Sequence, residues 1–144
     1  SKEYIIHRYK NHLIYKYNLF SLNHKGKSIA LFIMRKQEAM NSSIIRFIDY
    51  FGDLKFFRHL GILLQEMLDK SDCEYIDLVT NIPFNMISHS NFIDKSVTND
   101  IIPNYFEPFI KENISIHYET DSSEMIFFRG DADGDRPRQK LIRS

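Results

Sequence analysis

The sequence predicts a mixed α/β domain in which a twisted sheet carries two main helices. Three observations predict it. β-Branched and aromatic residues gather in short runs separated by turn residues; a single segment keeps a long 3.6-residue apolar period; and a further strand-like run follows that segment. A strand, a helix and a second strand in that order make a crossover whose two strands run parallel. Twelve Phe and eight Tyr, with no Trp, supply much of the apolar bulk. A chain of 144 residues is long enough to bury one core without staples, so residues 1–144 read as one domain.

Residues 1–12 mix Tyr4, Ile5, Ile6 and Tyr9 with Lys and His at near-helical spacing and predict a short helix in an N-terminal extension, residues 1–14. From Tyr15 to Leu22 the pattern alternates, Asn23 to Lys27 supplies a turn, and residues 28–35 resume as an apolar run, which together predict a β-hairpin. A break over residues 37–43 leads to a third strand at 44–51 that ends at Gly52-Asp53. Asp53 is a good N-cap, and Phe56, Phe57, Leu60, Leu63, Leu64, Met67 and Leu68 then fall on one side of a helix predicted over residues 54–70. Residues 74–80 alternate again as a strand. Pro83 opens a second helix at about 83–91, and residues 115–119 and 125–129 predict a closing hairpin. The whole would be a sheet of six or seven strands, followed by a polar segment, residues 131–144.

Charge and cysteine usage limit the function. Nineteen Lys and Arg balance 19 Asp and Glu, so no global field favours nucleic acid or an anionic membrane surface, and neither is expected as a partner. Cys73 is the only cysteine, which rules out an intrachain disulfide and a cysteine zinc site within the chain and fits a reducing, cytoplasmic setting. No apolar stretch approaches the roughly 20 residues that a transmembrane helix needs. The six histidines lack the spacing of a zinc motif.

The order of three antiparallel strands, a helix, a strand, a helix and a closing hairpin resembles the core of the Gcn5-related N-acetyltransferase (GNAT) fold over about residues 15–130. The ending Phe127-Phe128-Arg129-Gly130-Asp131-Ala132-Asp133-Gly134-Asp135-Arg136-Pro137 resembles the D-x-D-x-D-R-P terminus of acetyltransferase-like proteins encoded among bacterial surface-polysaccharide genes, and Phe51-Gly52-Asp53, Glu74-Tyr75-Ile76-Asp77 and Tyr105-Phe106-Glu107-Pro108-Phe109 are similar to that group too. The resemblance implies an acyltransferase that passes an acyl group from acetyl-CoA or another acyl-CoA to an amine of a sugar or sugar-nucleotide; its alternative is a non-catalytic binding or scaffolding module on the same fold. The first strand and helices of the full fold have no counterpart, which fits the later portion of a longer protein.

The resemblance places the CoA pyrophosphate on backbone amides at the start of the long helix, and so implies a cofactor site at Gly52 and Lys55. The family's Q/R-x-x-G-x-G/A loop is not intact here: Gly52 stands alone, and Asp53 puts a negative charge where a phosphate would sit. An ordinary capped helix explains the same residues. The family's Tyr general acid has no counterpart between Asn81 and Phe92, where His89 is the one side chain suited to proton transfer near neutral pH; a surface histidine is the plainer account. Asp131, Asp133 and Asp135 alternate, so in an extended segment they project to one side, and with Arg136 they form a candidate substrate site. A calcium EF-loop is excluded, because position 6 would be Arg136 and position 12 Ile142, so no metal is expected. The plainer account is an Asp/Arg network that pins the C-terminal segment, with Arg136 turning back to one of these aspartates or to Asp77 or Asp49 of the sheet.

Overall fold

The computed structural model describes residues 1–39, 41–103, 111–114, 116–120, 122, 124–131 and 135. It is a mixed α+β fold in which four strands, β1 (Asn18–His24), β2 (Lys27–Ala39), β3 (Ser42–Gly52) and β4 (Ile76–Leu78), form one sheet in sequence order. β1, β2 and β3 are antiparallel neighbours, whereas β4 runs parallel to β3. The parallel pairing is the one the crossover predicts. The β1–β2 turn is tight because Lys25 and Gly26 both take positive φ, 50° and 76°, the geometry that matches strand twist in a two-residue hairpin.

The crossover is not one regular helix. Residues Leu54–His59 wind as a 3₁₀ turn and only Leu60–Asp69 form an α-helix, α2. A three-residue repeat explains this: Leu54, Phe57 and Leu60 line up at 3₁₀ spacing, and the last two are fully buried. Asp53 caps the turn, its carboxylate accepting from the Lys55 N–H at 3.0 Å. The second predicted helix is likewise shorter, with α3 at Phe84–Ile87, a 3₁₀ turn at Ser88–Ser90, and Asn91 at φ 62° ending it. Ahead of the sheet, α1 (Lys2–Ile5) passes into a π-helical turn at Ile6–Lys10.

The predicted closing hairpin is corrected. Among the described residues, 116–120 and 125–127 form no strand, Phe128 makes an isolated antiparallel bridge to Thr80, and Arg129–Asp131 is a 3₁₀ turn, so four strands stand where six or seven were expected. Side chains take the place of a ladder there. The Asn81 amide donates to the Met125 carbonyl at 2.7 Å and its oxygen accepts from Phe127 N–H at 2.9 Å, while the Thr80 hydroxyl donates to the Phe127 carbonyl at 2.8 Å.

The two faces of the sheet differ. One carries the aromatic core, in which Phe32, Phe47 and Phe57 are fully buried together with Leu60 and Leu64 of α2. The other buries Ile33 and Ile48 beneath Tyr9, beside charged side chains from the middle of the strands. A β-bulge makes the division. Met34 pairs with Phe47 and Ile33 with Asp49, so Ile48 is the extra residue; the phase of β3 inverts there, sending Tyr50 into the aromatic core and Asp49 to the opposite face. No helix among the described residues is long and apolar enough to cross a membrane.

Candidate functional site

β3 and β4 pair over three residues each, Ile45–Phe47 against Ile76–Leu78. Beyond them β3 continues to Gly52 without β4, and the bulge at Ile48 marks the point where the strands part. Residues 128–130 lie in this fork. Phe128 bridges to Thr80 just after β4, and Gly130 lies so close to β3 that a Cβ there would meet Ile48 O at 3.0 Å and Tyr9 Oη at 2.7 Å. Glycine alone makes this approach without displacing a neighbour.

Around the fork, the second face of the sheet holds a buried polar network. Arg35 and Arg46 are direct cross-strand partners. Asp135 holds Arg35, with Nη2 to Oδ1 at 2.6 Å and Nε to Oδ1 at 3.0 Å, and also accepts from the Tyr17 hydroxyl at 2.5 Å. Tyr15 stacks on the same guanidinium, 3.9 Å from ring centroid to Cζ. Asp77 stands beside Arg46, 3.9 Å from its Nε, and accepts from Arg129 Nη2 at 2.6 Å. Burial and the neighbouring Arg129 charge lower the Arg46 guanidinium to about 10. Asp49 accepts from the Tyr9 hydroxyl at 2.5 Å and from Tyr50 N–H at 2.8 Å, and Arg8 donates to Tyr9 Oη and to the Gly130 carbonyl. Burial dominates over these donors and raises the Asp49 carboxyl to about 6, whereas burial and the adjacent carboxylates raise the hydroxyls of Tyr9 and Tyr17.

A cleft of about 790 Å³ runs along β4. Among the described residues Leu64, Leu68, Ile82 and Ile87 give it apolar walls, and Arg46, Asp77 and Arg129 bring charge to its lining. A separate depression of about 520 Å³ lies where the 3₁₀ turn meets α3, lined by Lys55, Arg58, His59 and His89 around Leu54, Phe56 and Met86.

The sequence-derived candidates fall in different places. Lys55 and His89 come together in the small depression, both exposed. Gly52 serves packing, since a Cβ there would meet Ala30 Cβ at 2.6 Å. The Lys55 ammonium is 2.7 Å from the Asp53 carboxylate, and the Lys55 amide is already taken by Asp53. Asp131 and Asp135 do not act as one row: Asp131 accepts from Phe128 N–H and closes its own turn, while Asp135 is buried on Arg35. Asp133 and Arg136 lie outside the described residues. Asp77, one of several partners expected for Arg136, accepts from Arg129.

Sequence reading passed over Arg35, Arg46, Tyr9 and Tyr17 as members of one buried network and took Asp49 only as a partner for Arg136. A signal for them exists: Arg46 and Asp49 sit within the apolar run of a strand predicted to have neighbours on both sides, where a charge meets another partner rather than water. No protein-family model, curated protein or solved structure matches this chain.

Proposed function

We propose that the chain is a GNAT-like binding module that holds a small molecule in the cleft along β4 and performs no acyl transfer. The observation that carries this reading is the filled fork. In a GNAT-like acyltransferase the parted parallel strands receive the acyl thioester on their backbone amides; here Phe128 and Gly130 of the chain itself lie between the ends of β3 and β4. The start of the crossover adds support, because Asp53 and not a phosphate satisfies the Lys55 amide. The cleft has apolar walls and charged groups in its lining, the composition of a small-molecule site. The resemblance to proteins of surface-polysaccharide gene clusters makes an amino sugar or sugar-nucleotide the ligand class, and the cytoplasm, where such precursors are made, the place.

A second reading, an acyl-CoA-dependent N-acyltransferase, is favoured by one observation: Asp49, a carboxylate raised to about 6, stands at the bulge where the strands part and has the proton affinity of a base for an acceptor amine. Lys55 and His89, together in the depression, would then face the cofactor. Melting temperature against a panel of ligands separates the two. A rise with a sugar-nucleotide and none with acetyl-CoA supports the module; a saturable rise with acetyl-CoA at micromolar concentration supports the enzyme and overturns the first reading.

A further inference from the structure

The segment ahead of β1 is attached to the sheet through very little. α1 buries none of its residues, and the π-helical turn that follows buries one, Tyr9, which is 2% exposed. Ile5 adds a half-buried contact, and Arg8 ties the turn to the Gly130 carbonyl. Tyr9 itself ends on Asp49, also 2% exposed, with 2.5 Å between hydroxyl and carboxylate. Apart from the Tyr9 ring, which packs on Ile33 and Ile48 and against Tyr17, the segment is held by one phenol hydroxyl, one guanidinium and the carboxyl they face. A π-turn at such a point is a frequent mark of function.

We propose that residues 2–10 form a strap whose seating on the sheet is set by the protonation of Asp49: it closes over Asp49 and Gly130 when the carboxyl is neutral and loosens when the carboxyl is charged. The groups that face Asp49 are Tyr9 and Arg8 from the strap, Tyr50 N–H from its own strand, the uncharged Ile33 from β2, and the Asp131 carboxylate from the C-terminal turn. Tyr9, Tyr50 N–H and Arg8 favour the charged form; burial and Asp131 oppose it, and the opposition is larger, since the carboxyl is raised to about 6. Loosening the strap rehydrates Asp49 and returns it toward the ordinary value of 3.8. Protons therefore bind the strapped state more tightly than the loosened one. β2 and β3 are held by a long ladder and do not open with the strap. The inference stands whether or not the cleft takes the ligands proposed above.

The test is amide hydrogen exchange of residues 5–11 between pH 5 and 8, corrected for the intrinsic exchange rate and compared with amides of β2 and β3. Protection of the strap is expected to fall by about tenfold to a hundredfold across this range while that of the strands holds. Asp49→Asn should abolish the fall, with retained strand protection showing that the variant is folded. Tyr9→Phe, which keeps the ring and removes the donor to the charged form, should move the midpoint up in pH. A wild-type strap whose protection does not change with pH, a fall shared equally by β2 and β3, or an unaltered fall in both variants would overturn the proposal.

Discussion

Arg35 and Arg46 stand opposite one another on β2 and β3, both buried, and each is held by an aspartate from a different part of the chain, Asp135 from the C-terminal segment and Asp77 from β4. Two like charges side by side in a sheet repel. They are tolerable here because distant parts of the chain bring the counter-charges, so Asp135 is part of the fold.

Removing one of those counter-charges leaves an arginine buried beside another. Asp135→Ala is expected to cost about 3–5 kcal/mol, read from urea denaturation, because the Arg35 guanidinium loses its carboxylate and Tyr17 its acceptor. The double variant Arg35→Met/Asp135→Ala should recover a large part of that loss. A double-variant loss equal to the sum of the losses of Arg35→Met and Asp135→Ala would show that the pair is not coupled.

Gly130 and Gly26 make a matched comparison. A methyl group at Gly130 meets Tyr9 Oη and the β3 backbone at 3.0 Å or less, so Gly130→Ala should destabilise by about 1–3 kcal/mol through overpacking. Gly26 has nothing within 4 Å, and its cost arises only from its φ of 76°, on the order of 1 kcal/mol for Gly26→Ala. Thermal unfolding of the two variants distinguishes a steric from a backbone penalty.

Acidity should reveal Asp49. Its carboxyl is raised to about 6 from an ordinary 3.8, so the folded state binds the proton more tightly than the unfolded chain. The stability this supplies is complete below about pH 3.8 and is lost as pH rises through 6, a change of about 3 kcal/mol. The stability difference between wild type and Asp49→Asn, followed from pH 4 to 7.5, should therefore fall against the wild type as pH rises. A constant difference would mean that Asp49 titrates normally.

Within the aromatic pair Phe56-Phe57, only Phe57 reaches the centre of the core, where its ring meets Tyr50 at 5.1 Å and Phe47 at 5.4 Å. Phe57→Ala is expected to cost about 3–5 kcal/mol, and Phe56→Ala, on the half-buried side, clearly less. Comparable losses would contradict the 3₁₀ register of the turn.

The meander, the crossover and the parallel fourth strand were legible because local pattern determines them: alternation, a two-residue turn with Gly26, and an apolar stripe after a capping Asp53. The 3₁₀ start of the crossover was not, since Leu54, Phe57 and Leu60 satisfy periods of 3 and 3.6 equally over so short a run. The hairpin expected over 115–129 failed because Thr80 and Asn81 offer side-chain partners to that backbone, a tertiary choice with no trace in local alternation. The polar face was hidden for the same reason. Arg35 looks like a solvent-facing position until Asp135 is brought to it from 100 residues away, and no local pattern says that Asp77 and Arg129 gather beside Arg46. Docking of the terminal segment was expected through Arg136, which lies outside the described residues; among those described, Asp135 pairs with Arg35 and Arg129 with Asp77.

The filled fork is tested most directly by titrating acetyl-CoA into the isotopically labelled protein and following the amides of residues 48–52 and 128–130. No saturable shift is expected at these positions up to millimolar acetyl-CoA, because Phe128 and Gly130 already occupy the space between the strand ends. A saturable shift centred on Ile48 and Gly130 would show that the segment yields to a thioester and would contradict the binding-module reading.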